Sequence, residues 1–151
     1  MAISDTHQLA FLVERKLESL ALLVRLGRQQ LALIEAGEMG MLLKLLAAKQ
    51  SLLAQLQDLD RQLDPFRDED PESRQWPSAA ARAECQRQAA LCAELLGEAM
   101  QLEKQAERHM VRRRDEAVAR LQGVHSAAEA SHAYAASSIH PLSRAAMCDE
   151  N

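Results

Sequence analysis

His125, Glu129 and His132 stand at positions i, i+4 and i+7, a spacing that brings two imidazoles and a carboxylate to one face of a helix. Glu129-Ala-Ser-His132 also matches the Glu-x-x-His element of carboxylate-bridged di-iron bundles. Those sites need two such elements and further glutamates from facing helices. No second Glu-x-x-His occurs in the chain, so solvated helix residues, with no metal and no other cofactor, are the expectation. Cys85 and Cys92 lie seven residues apart, roughly 10 Å along a helix and beyond disulfide reach. They read as small apolar core residues. Arg112, Arg113 and Arg114 could meet a phosphate backbone, but Asp115 and Glu116 follow at once with no aromatic platform between them. That run reads as a solvated helix face, and no nucleic-acid partner is expected. With no glycine loop for phosphate and no zinc spacing of cysteines, the chain is not expected to be an enzyme.

The elements that carry these residues are helical by composition. Hydrophobic residues make up 48% of the 151-residue chain and aromatics only 3%, which leaves Leu, Ala, Met and Val to build the core and few residues of the kind strands favour. The net charge of −4 is local. Between Asp58 and Arg74 there are seven acids and three bases, which accounts for the whole excess. The opening "MAISDTHQ" lacks the positive region of a secretion signal, and "LAFLV" is cut short by Glu14, Arg15 and Lys16. No apolar run approaches the ~18 to 20 residues needed to cross a bilayer. A cytoplasmic protein with reduced thiols and no membrane insertion is therefore expected.

Leu9, Val13, Leu17, Leu20, Val24, Leu31 and Ile34 follow a three-to-four spacing, the stripe of an amphipathic helix over about 6–36. Asp5 is its expected N-cap and Gly37 its left-handed end. A second stripe from Leu42 to Leu63 predicts a helix over 41–63. Its phase is slipped by one residue, about 100° of helix rotation, relative to the first. That slip would aim a continuous rod at two different partners, so Gly37 to Gly40 is expected to be a corner. Asp64-Pro65 is expected to end the second helix. An acidic loop with three prolines follows, with Phe66 and Trp76 pinning its ends to the bundle. Ser78 caps a third helix over 78–125, on which Cys85, Cys92, Ala99 and Ala106 recur every seven residues beside Ala89, Leu96, Met110 and Ala117. Leu20, Leu46, Leu53, Leu95 and Leu96 are expected among the most buried positions.

After Met110 the core face of the third helix turns polar, and the helix is expected to outrun its partners and project. Residues 126–151, rich in Ala and Ser, are expected to be a mobile or weakly helical tail. The fold expected is all-α: an elongated antiparallel bundle or coiled coil of three main helices, forming one domain over 1–125, with this tail.

One resemblance bears on function. "LALIEAGEMGMLLKLLAAKQSLLAQLQDLDRQLD", preceded by a leucine-rich helix, resembles the FlgN family of flagellar type III export chaperones. Ala36-Gly37-Glu38 stands at that family's break between helices, and Leu42, Leu45, Lys49, Leu52, Leu53 and Leu56 match the pattern that follows. Tyr134 in "SHAYAASS" resembles a tyrosine that many members carry in an alanine- and serine-rich C-terminal segment. The likeness covers residues 9 to 63, the third helix and tail agreeing in architecture. It implies a cytoplasmic chaperone that holds hook-associated proteins of the FlgK and FlgL kind and delivers them to an FlhA-like export gate. The apolar groups beyond Val111 that lack an obvious partner within the chain, Leu121, Val124, Tyr134 and Ile139, are the expected client and export-gate contacts. The alternative is a generic helical coiled-coil scaffold or homodimer, with the tail a passive linker.

Overall fold

The computed structural model describes the backbone of residues 3–148 and the side chains of residues 5–137. Among the described residues the chain is all helix and loop, with no strand. Three α-helices follow in order: α1 (Ile3–Ala36), α2 (Met39–Arg67) and α3 (Ala79–Cys148), with a short 3₁₀ turn at Pro71–Ser73 before α3. No helix among the described residues is long and apolar enough to cross a membrane. The chain divides into two compact units, Met1–His109 and Met110–Asn151.

In the first unit the apolar stripes close into a three-helix bundle with three layers of core. Leu9, Leu12 and Val13 of α1 meet Leu59 and Leu63 of α2 and Cys85 of α3. Leu20 and Leu23 meet Leu52, Leu56 and Cys92 in the middle layer. Ile34 meets Leu42 and Ala106 in the third. Residue numbers rise together on α1 and α3 through these layers and fall on α2, so α2 runs antiparallel to both. Small residues at 85, 92 and 106 let α3 approach closely. Burying each leucine fully contributes roughly 1.5–3 kcal/mol.

The corner is a true helix pair. Gly37 has φ 73°, the left-handed region that glycine enters without a Cβ penalty. Its N–H donates to Ile34 O at 3.1 Å and the Glu38 N–H donates to Leu33 O at 3.0 Å. These two bonds are a Schellman closure and satisfy carbonyls the helix end would leave open. α2 then begins at Met39, with the Leu42 N–H donating to Glu38 O at 3.0 Å.

Three details differ from the sequence expectation. Asp5 lies inside the first turn of α1, where its charge complements the helix dipole, instead of preceding the helix. α2 continues through Pro65 to Arg67. A proline in the last turn removes a single backbone donor. The turn is held by Phe66, packed on the core, and by Arg67, 2.5 Å from Asp64 and 3.2 Å from Asp60. α3 shows no break at residue 125 and stays helical to Cys148, in keeping with the helix propensity of its alanines. The loop is pinned as expected: Trp76 packs on the first core layer, and the buried Thr6 hydroxyl donates to Gln75 O at 2.7 Å. The Ala81 N–H donates to Ser78 Oγ at 3.0 Å, capping α3.

Candidate functional site

Beyond the bundle's core residues, α3 carries the side chains that sequence reasoning marked for partner binding. In the second unit Leu121 is 69% exposed, Val124 67% and Tyr134 79%. Ile139 lies in α3, but its side chain falls outside the described residues. Successive helix residues turn by about 100° and rise 1.5 Å, which decides what is brought together. Val118, also exposed, Leu121 and Val124 follow at intervals of three, each about 60° round the helix from the last. They form one continuous apolar strip. Tyr134 sits roughly 140° round from Leu121 and about 15 Å along the axis from Val124. It presents a separate contact on another face.

The same unit holds the metal-like triad. His125 Nε2 is 3.1 Å from Glu129 Oε1, both side chains exposed, and His132 is exposed as well. Among the described residues no group of three or more His, Cys, Asp or Glu is placed to hold a metal ion. The pair is an i,i+4 surface contact of the kind that supports a helix weakly. Arg114 lies 3.4 Å from Asp115, so the arginine run is partly neutralised on its own surface.

In the first unit α3 buries the expected seven-residue stripe, Cys85, Cys92 and Ala106 with Ala99 partly buried, but flanks it differently from the expectation. Leu96 is 44% exposed, and Leu53, Leu46 and Leu95 are half-buried, while Leu20 is buried as expected. The residues that turn inward beside this stripe stand three positions on, Leu95 from Cys92 and Leu102 from Ala99, whereas Ala89 and Leu96, four positions on from Cys85 and Cys92, are exposed. Leu102 packs against Gly27 of α1. Turning Leu95 inward swings Leu96 to the rim of a groove between α2 and α3, of about 460 Å³, walled by Leu46, Leu53, Leu96 and Met100. Sequence reasoning missed this groove because its walls are leucines of the same type as the core. The one available signal was the choice between three- and four-residue spacing beside the cysteines.

Lys49, which matches the lysine of the pattern noted in the sequence, lies at this groove. Its side chain is only 13% exposed. It donates to the buried Gln30 Oε1 at 3.0 Å and pairs with Glu103. One ammonium thus joins α1, α2 and α3 across their third and middle layers.

The thiols of Cys85 and Cys92 are free and buried. Desolvation pushes each above its ordinary value, and nearby Arg74 for Cys85 and Lys16 for Cys92 offset this in part. The Cys92 thiol faces Val13 O at 3.8 Å. These are packed, protonated thiols, without the electropositive exposure that makes a cysteine nucleophilic. Among the described residues the exposed apolar features include the strip on α3 and the groove between α2 and α3. Comparison with protein-family models, characterised proteins and solved structures found no match.

Proposed function

We propose that the chain is a cytoplasmic flagellar export chaperone of the FlgN kind. It holds a hook–filament junction protein similar to FlgK or FlgL and delivers it to an FlhA-like export gate. The observation that carries the reading is the exposed strip of Val118, Leu121 and Val124 on α3, with Tyr134 apart from it. A helix whose apolar face is uncovered gains by laying that face against a second amphipathic helix. A tyrosine supplies apolar area and a hydroxyl together, which suits a contact that dominates binding energy. The likeness of residues 9 to 63 to the family, with its Ala36-Gly37-Glu38 break, supplies the identity of the partner.

Truncation after residue 125 tests the reading. Calorimetric titration of full-length and truncated chains is run against a FlgK- or FlgL-like client and against the cytoplasmic part of the gate. The truncated chain is expected to keep its bundle and to lose affinity for at least one of them. Equal affinities for both partners would remove the C-terminal part of α3 from the mechanism. A coiled-coil scaffold would instead bind neither partner and would self-associate through α3, which sedimentation of the full-length chain reads directly.

A further inference from the structure

Leu43 of α2 is 69% exposed, and it does not stand alone. At about 100° per residue, Leu46, Gln50, Leu53 and Gln57 follow it along the outer side of the helix, with Ala47 and Ala54 beside them. Leu46 and Leu53 are half-buried and form one wall of the α2–α3 groove, opposite Leu96 and Met100. The outer side of α2 and this groove therefore make one continuous surface.

Charge is absent from its α2 side. Between Met39 and Gln57 only Lys44 and Lys49 are charged, in a chain that is 26% charged. Lys49 is turned inward to Gln30 and Glu103, and Lys44 borders a depression between α1 and α2. What remains outward is uncharged along about 27 Å of helix. Such a face suits a copy of itself. About a two-fold axis equivalent residues meet, so a lysine or glutamate near the axis would confront a like charge.

Gln50 lies near the middle of the face and is exposed. Its amide carries both donors and an acceptor, so two such side chains pair reciprocally across a two-fold axis. Antiparallel pairing of α2 with itself about Gln50 fixes the rest of the register. Leu46 then faces Ala54, and Ala47 faces Leu53, large against small as interdigitation requires. At the ends of the face, Arg61 of one copy, 3.9 Å from its own Asp58, comes beside the exposed Glu38 of the other. The first charges to meet are therefore of opposite sign.

We propose that the outer face of α2, flanked by Leu96 and Met100 of α3, is the contact through which two copies of the chain form a symmetric antiparallel dimer about Gln50. This surface lies in the first unit and is independent of the chaperone reading, which rests on the strip of the second. It is also distinct from scaffold self-association through α3. Sedimentation of the full-length chain at about 100 μM is expected to show a dimer. Gln50→Glu and Gln50→Lys are expected to keep the parent's helical circular dichroism. Each is expected to weaken the dimer about a hundredfold, because like charges then meet across the axis. Mixed in equal amounts, the two variants are expected to recover a dimer, one chain of each kind. The Leu121→Ser/Val124→Ser chain is expected to dimerise as the parent does. A monomeric parent, undiminished dimers in either Gln50 variant, or a mixture no tighter than its components would overturn the proposal. So would loss of the dimer with the α3 strip.

Discussion

Gly27 of α1 lies directly against Leu102 of α3: a Cβ at position 27 would stand 3.1 Å from Leu102 Cδ1 and 3.2 Å from Leu102 Cβ. The second distance matters more, because a Cβ cannot swing away without moving its helix. Gly27→Ala gains about 1 kcal/mol of helix propensity but meets an overpacking cost of about 1–3 kcal/mol. Net destabilisation is expected. Gly97 is helical with nothing within 4 Å of its would-be Cβ, so Gly97→Ala is expected to stabilise by about 0.5–1 kcal/mol. Urea melts of the two variants in parallel check the opposite signs. A stabilised Gly27→Ala chain would mean that α1 and α3 are not in close approach there.

Lys49 is expected to be worth more than a surface ion pair. Exposed pairs contribute about 0–1 kcal/mol, but removing Lys49 strands the Oε1 of Gln30, which is buried. Lys49→Met keeps the apolar stem and is expected to cost about 1–3 kcal/mol. Gln30→Leu in the Lys49→Met background is expected to recover part of that loss. A Lys49→Met melt that overlays the parent would place the lysine on the surface.

Core truncation separates the leucines that look alike in sequence. Leu20, 1% exposed in the middle layer, is expected to cost about 2–5 kcal/mol on truncation to Ala. Leu53→Ala is expected to cost clearly less, and Leu96→Ala, on the groove rim, is expected within about 0.5 kcal/mol of the parent. Equal losses at Leu20 and Leu96 would mean that the other phase of α3 faces the core.

Alkaline pH is expected to weaken the fold through the two buried thiols. Folded Cys85 and Cys92 titrate above their ordinary value of 9.0 because burial disfavours the thiolate. Below pH 9.0 both folded and unfolded thiols are protonated, and this contribution to stability is fully present. Above it the unfolded chain loses those protons first, so stability falls as pH rises through the raised folded values. Urea midpoints from pH 7 to pH 10 are expected to fall less steeply for the Cys85→Ala/Cys92→Ala chain than for the parent. Parallel slopes would remove the thiols from the pH response.

The all-helical fold and the corner were legible in the sequence because two independent signals agreed there. The apolar stripe slips in phase between Ile34 and Leu42, and Gly37 supplies a left-handed position at the slip. Ser78 was legible as a cap because hydroxyl capping is local chemistry. The seven-residue stripe of α3 was legible too, but the leucine that flanks it was not, since Leu95 and Leu96 are neighbours of the same type. Which of them turns inward depends on where Gly27 lets Leu102 come close, a contact 75 positions away in the chain. The groove beside Leu53 and Leu96 was hidden by the same ambiguity. The continuation of α2 past Pro65 depended on Phe66 packing and on Arg67 reaching two aspartates, neither visible from local preference. Of the residues expected to meet a partner, exposure of Leu121, Val124 and Tyr134 followed from the loss of apolar pattern after Met110. Their separation into two faces follows from helix geometry alone.

The strip on α3 is tested most directly by calorimetric titration of a FlgK- or FlgL-like client into the full-length chain and into its Leu121→Ser/Val124→Ser variant. Both side chains are exposed, so the variant's thermal melt is expected to match the parent's. Client affinity is expected to fall at least tenfold, the equivalent of about 1.4 kcal/mol. An unchanged affinity in the variant, or no client binding by the parent chain, would contradict the chaperone reading.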